Sequence, residues 1–181
     1  MPDPELHPLL RTRWSPRVYD AGHEVTPAQV ASLLEAARWT PSAGNSQPWS
    51  FIVGRRGEET HRRLVTHLAG SSRAWAPDAS LLVGNLCHRL VEDTDWEASE
   101  FSVYDLGQAV AHMTFQGRAM GLQARQFRAF DREALSVEFG VPDHWEFTTM
   151  TAFGVVRAPR DPEESSRDRR HPADLTWPRE E

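Results

Sequence analysis

The sequence contains no lysine and a single cysteine, Cys87, in 181 residues. All 20 of its basic side chains other than histidine are therefore arginine. Without lysine there is no P-loop phosphate lysine, no Schiff-base lysine for pyridoxal phosphate and no lysine general base. One cysteine excludes an internal disulfide framework and every multi-cysteine zinc site. No apolar run reaches the length of a membrane span. The opening MPDPELHPLL lacks the basic-then-apolar pattern of a signal peptide. A soluble, cytoplasmic protein is the expectation. Acidic residues outnumber basic ones 26 to 20, for a net charge of −6. That balance disfavours nucleic acid or an anionic membrane as the main partner, because both bind through a basic face.

Several motifs are missing as well. There is no Gly-x-Gly-x-x-Gly dinucleotide fingerprint, no Gly-x-Ser-x-Gly nucleophile elbow and no His-Glu-x-x-His. The eight histidines are scattered, and His61 and His67, six apart, do not share a helix face, so no metal site is assigned. Cys87 ends an apolar run and reads as a packed thiol. The acidic stretch from Glu92 to Glu100 lacks the spacing of a calcium loop and reads as an exposed connection.

What is present organises into three parts. Residues 1–10 form a Pro-rich arm, 11–158 the main domain and 159–181 a charged tail. Thr26-Pro27-Ala28-Gln29 has the spacing of a capping box with proline at the first helical position. Val30, Leu33, Leu34 and Ala37 continue at helical period, so a helix is expected to about Trp39, before Pro41. Trp49 to Val53 reads as a strand closed by Gly54, and Glu58 to Leu68 as a short helix. Ala79 to Leu86 is continuously apolar, as in a strand buried on both faces. Phe101 to Met120 is the longest expected helix, with Gly107, Ala111 and Ala119 small enough to admit a second backbone. Asp131 is expected to cap a helix to Phe139, and Phe147 to Val156 reads as a core strand. The irregular alternation of helices and strands indicates an α+β or α/β fold and not a doubly wound sheet.

Two segments carry the donors that chemistry would need. In Arg13-Trp14-Ser15-Pro16-Arg17, two guanidinium forks flank a hydroxyl, the right set for a phosphate monoester. Spacing alone favours a solvated basic loop. In Pro41-Ser42-Ala43-Gly44-Asn45-Ser46-Gln47-Pro48-Trp49, Asn45 and Gln47 supply amides that pair with a uracil-like edge, and Gly44 admits a flat ligand. Alone, this segment reads better as a turn.

Taken together, these segments and three others resemble the FMN-dependent nitroreductase family. The likeness rests on Arg13 to Arg17, on Leu34 to Trp49, on Asp105-Leu106-Gly107-Gln108-Ala109, on Met120-Gly121-Leu122 and on Phe130-Asp131. It covers roughly Leu10 to Val156, and Pro-Ser-x-x-Asn-x-Gln-Pro-Trp is its most specific run. The resemblance implies an α+β fold with a mixed β-sheet flanked by helices, and a homodimer with FMN at the interface. It implies that Arg13, Ser15 and Arg17 hold the FMN phosphate or ring edge, with Trp14 contributing backbone. Ser42, Ala43 and Asn45 would line the isoalloxazine, while Pro41 and Gln47 shape the loop. Arg128 and Ala129 fall in the loop whose backbone N–H approaches flavin N5, where many relatives carry glycine in place of Ala129. Arg169-Arg170-His171-Pro172 is similar to the basic pair that meets the phosphate near the family's C-terminus.

No side-chain acid or base is required by the implied chemistry, in which flavin N5 carries hydride and Arg17 stabilises the reduced ring. NAD(P)H and a small planar acceptor, such as a nitroaromatic or a quinone, would use one site in turn with ping-pong kinetics. A dedicated dehydrogenase, reductive dehalogenase or flavin-fragmenting enzyme belongs to the same class. A non-catalytic flavin-binding protein is the alternative from another class, kept open by Ala129 and the short Glu92 to Phe101 segment. A flavin-free structural relative is a third. Trp39, Trp49 and Trp75 are expected beside the core or an interface, and Trp14 or Trp145 as a wall of the flavin site.

Overall fold

The computed structural model describes residues 5–157 and 166–177. In chain order the elements are α1 (Pro8–Arg11), α2 (Pro27–Arg38), β1 (Trp49–Arg55), α3 (Glu59–Thr66), α4 (Gly70–Arg73) and β2 (Leu81–His88). There follow α5 (Ser102–Ala119), β3 (Gln123–Phe127), α6 (Arg132–Phe139) and β4 (Trp145–Gly154). Short 3-10 turns lie at Ala43–Asn45, Ala76–Asp78 and Pro172–Leu175.

Helix boundaries follow local chemistry. Thr26 and Gln29 form the reciprocal capping box, and proline opens α2. Asp131 caps α6 by accepting from the Ala134 N–H. The strands form one sheet in the order β1-β2-β4-β3. Among the described residues every pairing is antiparallel, not mixed as expected. The reason is visible at the β1–β2 connection: α3 and α4 return the chain so that Leu81 pairs with Arg55, and β2 runs back along β1. β3 is an element that periodicity does not reveal, because in Gln-Ala-Arg-Gln-Phe only Ala124 is buried.

The sheet separates two cores. On one face Leu82, Leu86, Phe147 and Met150 meet Leu64 of α3, Leu135 of α6 and Trp75. On the other, Leu81, Val83 and Phe153 meet Leu33 of α2 and Leu106, Val110 and Met113 of α5. β2 is buried from Leu81 to Cys87, as its unbroken apolar run requires. Cys87 is a packed thiol, and burial pushes its pKa up to about 11. Gly54 is where β1 and α3 nearly touch: a Cβ there would stand 2.7 Å from the His61 nitrogen. Trp75 is buried and Trp49 half-buried, whereas Trp39 is 75% exposed, standing off the core. Among the described residues no helix is long and apolar enough to cross a membrane.

Candidate functional site

The residues singled out in the sequence fall into separate groups. The first surrounds the 11–17 loop, which leads from α1 toward the isolated bridge between Tyr19 and Val156. Arg13 Nη1 donates to Ser15 Oγ at 3.3 Å. Arg13, Trp14 and Ser15 are half-buried and Arg17 is exposed. Arg13 and Ser15 line a cavity of about 250 Å³ with Thr114 and Phe115 of α5 and Ala124 and Gln126 of β3. Gln126 Nε2 donates to Thr114 Oγ1 at 3.3 Å, so the cavity wall is itself hydrogen-bonded. Neither Trp14 nor Trp145 lines this cavity. Trp145 instead stacks on His88 at 4.9 Å between ring centroids.

Three arginines not foreseen as site residues hold this loop. Arg118 on α5 donates to Thr12 Oγ1. Arg125 on β3 donates to the Ser15 carbonyl at 2.7 Å. Arg167 donates to the Arg13 carbonyl at 2.5 Å and to that of Arg11. Burial, then the guanidinia of Arg167, Arg169 and Arg118, pulls the Arg13 pKa below its ordinary value. Burial and Arg17 do the same to Arg125. Arg13, Arg17, Arg118, Arg125, Arg167 and Arg169 have no carboxylate partner among the described residues. Of the predicted tail pair, Arg169 is exposed but near enough to bear on Arg13, and Arg170 is exposed.

The second group is the 42–47 loop. Ala43 N–H donates to Asp105 Oδ2 at 2.9 Å, and Gln108 Nε2 donates to Asp105 Oδ1 at 3.2 Å. Asp105 is 3% exposed and lies in the first turn of α5. Gln47 N–H donates to Ser42 Oγ at 3.0 Å and its side-chain amide to the Asn45 carbonyl at 3.2 Å. Gly44, Asn45 and Gln47 have φ of 58°, 57° and 48°, three left-handed positions, two of them not glycine, around a right-handed Ser46. Such strain, of order 1 kcal/mol or more per residue, persists where surrounding structure enforces it. The loop turns the exposed Asn45 amide outward, with no hydrogen bond of its own among the described residues.

The third group is the turn after β3. The Ala129 carbonyl accepts from the Ala69 N–H at 3.0 Å and from the Ser72 hydroxyl. The Arg128 guanidinium lies 4.8 Å from the Phe130 ring centroid. Ala129 is absent from the left-handed region, so alanine sits there without the strain that a glycine would be needed to avoid. Among the described residues no group of three or more His, Cys, Asp or Glu is placed to hold a metal ion.

Asp105 and Gln108 belong to a block already conspicuous in the sequence, yet nothing there assigns them to the distant 42–47 loop. Arg118, Arg125 and Arg167 carry no motif at all, since they bond oxygens of the 11–15 segment from three different elements.

Comparison with known proteins bears on the sequence and the fold. The Nitroreductase family model matches residues 10–91. A putative NADH dehydrogenase/NAD(P)H nitroreductase of Archaeoglobus fulgidus is 27% identical over 161 residues, covering 84% of this chain and 86% of the relative. A crystal structure described as an oxidoreductase containing FMN superposes with a TM-score of 0.80 at 24% identity, covering 87% of this chain and 80% of that one. A putative nitroreductase from Desulfovibrio desulfuricans, solved in complex with FMN, superposes with a TM-score of 0.72 at 23% identity over 96% of this chain and 97% of its own. The chain is thus similar to the nitroreductase family in sequence over residues 10–91 and shares the fold of its solved members.

Proposed function

We propose that this chain is an FMN-dependent NAD(P)H oxidoreductase that reduces nitroaromatics, quinones or similar planar acceptors, and that it acts as a homodimer. The observation that carries this reading is the cluster of arginines around the 11–17 loop, beside the cavity that Arg13 lines. Arg13, Arg118, Arg167 and Arg169 gather at one loop without a carboxylate among the described residues, in a chain of net charge −6. A phosphate monoester, close to dianionic at neutral pH, is the ligand that such charge-assisted donors fit. FMN in solved relatives of the same fold supports that choice, and the relatives' NAD(P)H nitroreductase names support the donor.

The residues then divide the work. Arg13 and Ser15, with Arg169 and Arg170 from the tail and the Trp14 backbone, would hold the phosphate end. Arg17, exposed and without a carboxylate partner among the described residues, is free to offset negative charge on the ring edge. Ser42, Ala43 and Asn45 would line the ring, with Gln47 bracing the loop through its bond to the Asn45 carbonyl. The Arg128-Ala129 turn, anchored through the Ala129 carbonyl, would present main chain to N5. When bound, FMN supplies hydride transfer from the nicotinamide to the acceptor, and one face used twice gives ping-pong kinetics.

The separation of the two donor groups favours a second copy. No residue of the 42–47 loop lines the cavity beside Arg13. The outer side of α5 carries exposed Gly107 and half-exposed Ala111, small enough for close approach by another helix, beside the exposed ring of Tyr104. A dimer built there is proposed to join one copy's 42–47 loop to the Arg13 cavity of the other. The test is anaerobic titration of the FMN-incubated, desalted protein with NADH or NADPH, followed by menadione. Bleaching and recovery of colour are expected. A protein that stays yellow would be a flavin binder and would overturn the enzymatic reading.

A further inference from the structure

Arg118, Arg125 and Arg167 converge from α5, β3 and the tail on the main chain that carries Arg13 and Ser15. Each grips a neutral oxygen: the Thr12 hydroxyl, the Ser15 carbonyl, and the Arg11 and Arg13 carbonyls. The acid nearest in sequence to Arg167 does not neutralise it, because the Asp168 carboxylate accepts from the Ser166 hydroxyl at 2.7 Å. The Nε atoms of Arg118 and Arg125 are buried and unpartnered among the described residues. No residue of the tail's Pro172–Leu175 turn is buried, and Leu175 is 66% exposed. Arg167 ties residues 166–170 to the 11–15 loop through the Arg11 and Arg13 carbonyls, and it does so beside the like charge of Arg13. Mutual repulsion among these half-buried guanidinia opposes closure, and a dianion within their reach reverses the sign.

We propose that Arg167, Arg118 and Arg125 form a clamp on residues 11–15 that closes only around a bound phosphate dianion, so that the 166–177 tail docks as the cofactor binds. The proposal rests on the FMN reading above and assigns the three as positioning residues, acting through the loop oxygens on Arg13 and Ser15. It makes the tail a reporter of the phosphate and not of the flavin ring. The tail and the 11–17 loop would gain or lose their order together, because they share the Arg167 hydrogen bonds.

Amide hydrogen exchange of the full chain, with no addition, FMN, riboflavin or inorganic phosphate, tests this. FMN is expected to slow exchange in 11–17 and 166–177 together by about tenfold or more. Millimolar phosphate should protect the same two segments, whereas riboflavin should not. Arg167→Gln should abolish the joint protection and weaken FMN binding about tenfold, with Arg167→Lys recovering part of both, because lysine restores charge but not the fork. Arg62→Gln, on the far helix α3, should change neither. Equal protection of the tail with and without bound FMN, or protection by riboflavin equal to that by FMN, would overturn the clamp while leaving the cofactor reading intact. Joint protection by phosphate in a protein that binds no FMN would support the clamp and overturn the cofactor reading. Binding of neither would overturn both.

Discussion

The main-chain N–H of Ala43 donates to the buried Oδ2 of Asp105 at 2.9 Å. This one bond couples the first turn of α5 to a loop far away in sequence, and that loop holds its left-handed Gly44, Asn45 and Gln47 under the constraint. Asp105 is thus a support for the ring-binding half of the proposed site, while its other oxygen is occupied by Gln108.

Asp105→Ala is expected to leave the Ala43 N–H without its acceptor and to cost about 1–3 kcal/mol of stability. FMN retention should fall with it. Asp105→Asn keeps one carbonyl oxygen as acceptor and should lie between the two. Urea denaturation and FMN titration of both variants check the order. An alanine variant as stable and as retentive as the wild type would mean that the loop holds its shape unaided.

Arg13→Ala and Arg17→Ala are expected to weaken FMN retention, the first more strongly because Arg13 lines the cavity and bonds Ser15. Loss of one charge-assisted bond worth ~1.5–3 kcal/mol corresponds to roughly ten- to hundredfold in affinity. Asn45→Ala should instead shift the visible spectrum of bound flavin with a smaller change in affinity. Unaltered retention and spectra across all three variants would refute this placement of the site.

His61 sits buried on α3 beneath β1, with Nε2 unpartnered among the described residues. Burial, with Arg56 adding to it, lowers the imidazole pKa to about 4. In the unfolded chain the group titrates near ~6.5, so between these values the unfolded state binds a proton that the native state does not. The contribution of His61 is therefore complete above about pH 6.5 and is lost as pH falls toward 4, by up to about 3 kcal/mol. Chemical denaturation at pH 7.5 and pH 4.5 measures the change, and His61→Gln should flatten it. The same slope in both proteins would assign the acid sensitivity elsewhere.

Gly54→Ala is expected to destabilise the protein by about 1–3 kcal/mol, since the new Cβ would meet backbone atoms of His61 at 2.7 and 2.8 Å. Thermal unfolding of the variant measures this directly. A neutral result would show that α3 moves off β1 at no cost.

Sequence signals were strongest where one local rule decides an element. The Thr26–Gln29 box, the Asp131 cap and the unbroken apolar run of β2 each map to observed structure. They failed for β3, an edge strand whose Gln123, Arg125 and Gln126 give it no apolar pattern, and for strand direction, which depends on where α3 and α4 deliver the chain. The Arg13 to Arg17 and Ser42 to Gln47 segments stood out because their donors are contiguous. Their supports did not: Arg118, Arg125 and Asp105 act across the fold on loop atoms that any residue carries. In the tail, Arg169-Arg170 was conspicuous beside His171-Pro172, but the residue that reaches the loop is Arg167. Only three-dimensional placement separates those three.

The measurement closest to the central proposal is sedimentation velocity of the FMN-incubated, desalted protein, recorded in the visible flavin band. A single coloured boundary at the mass of a dimer is the expected result, because the proposed site joins its two halves between two copies. A colourless protein, or a coloured boundary at the mass of one chain of 181 residues, would contradict it.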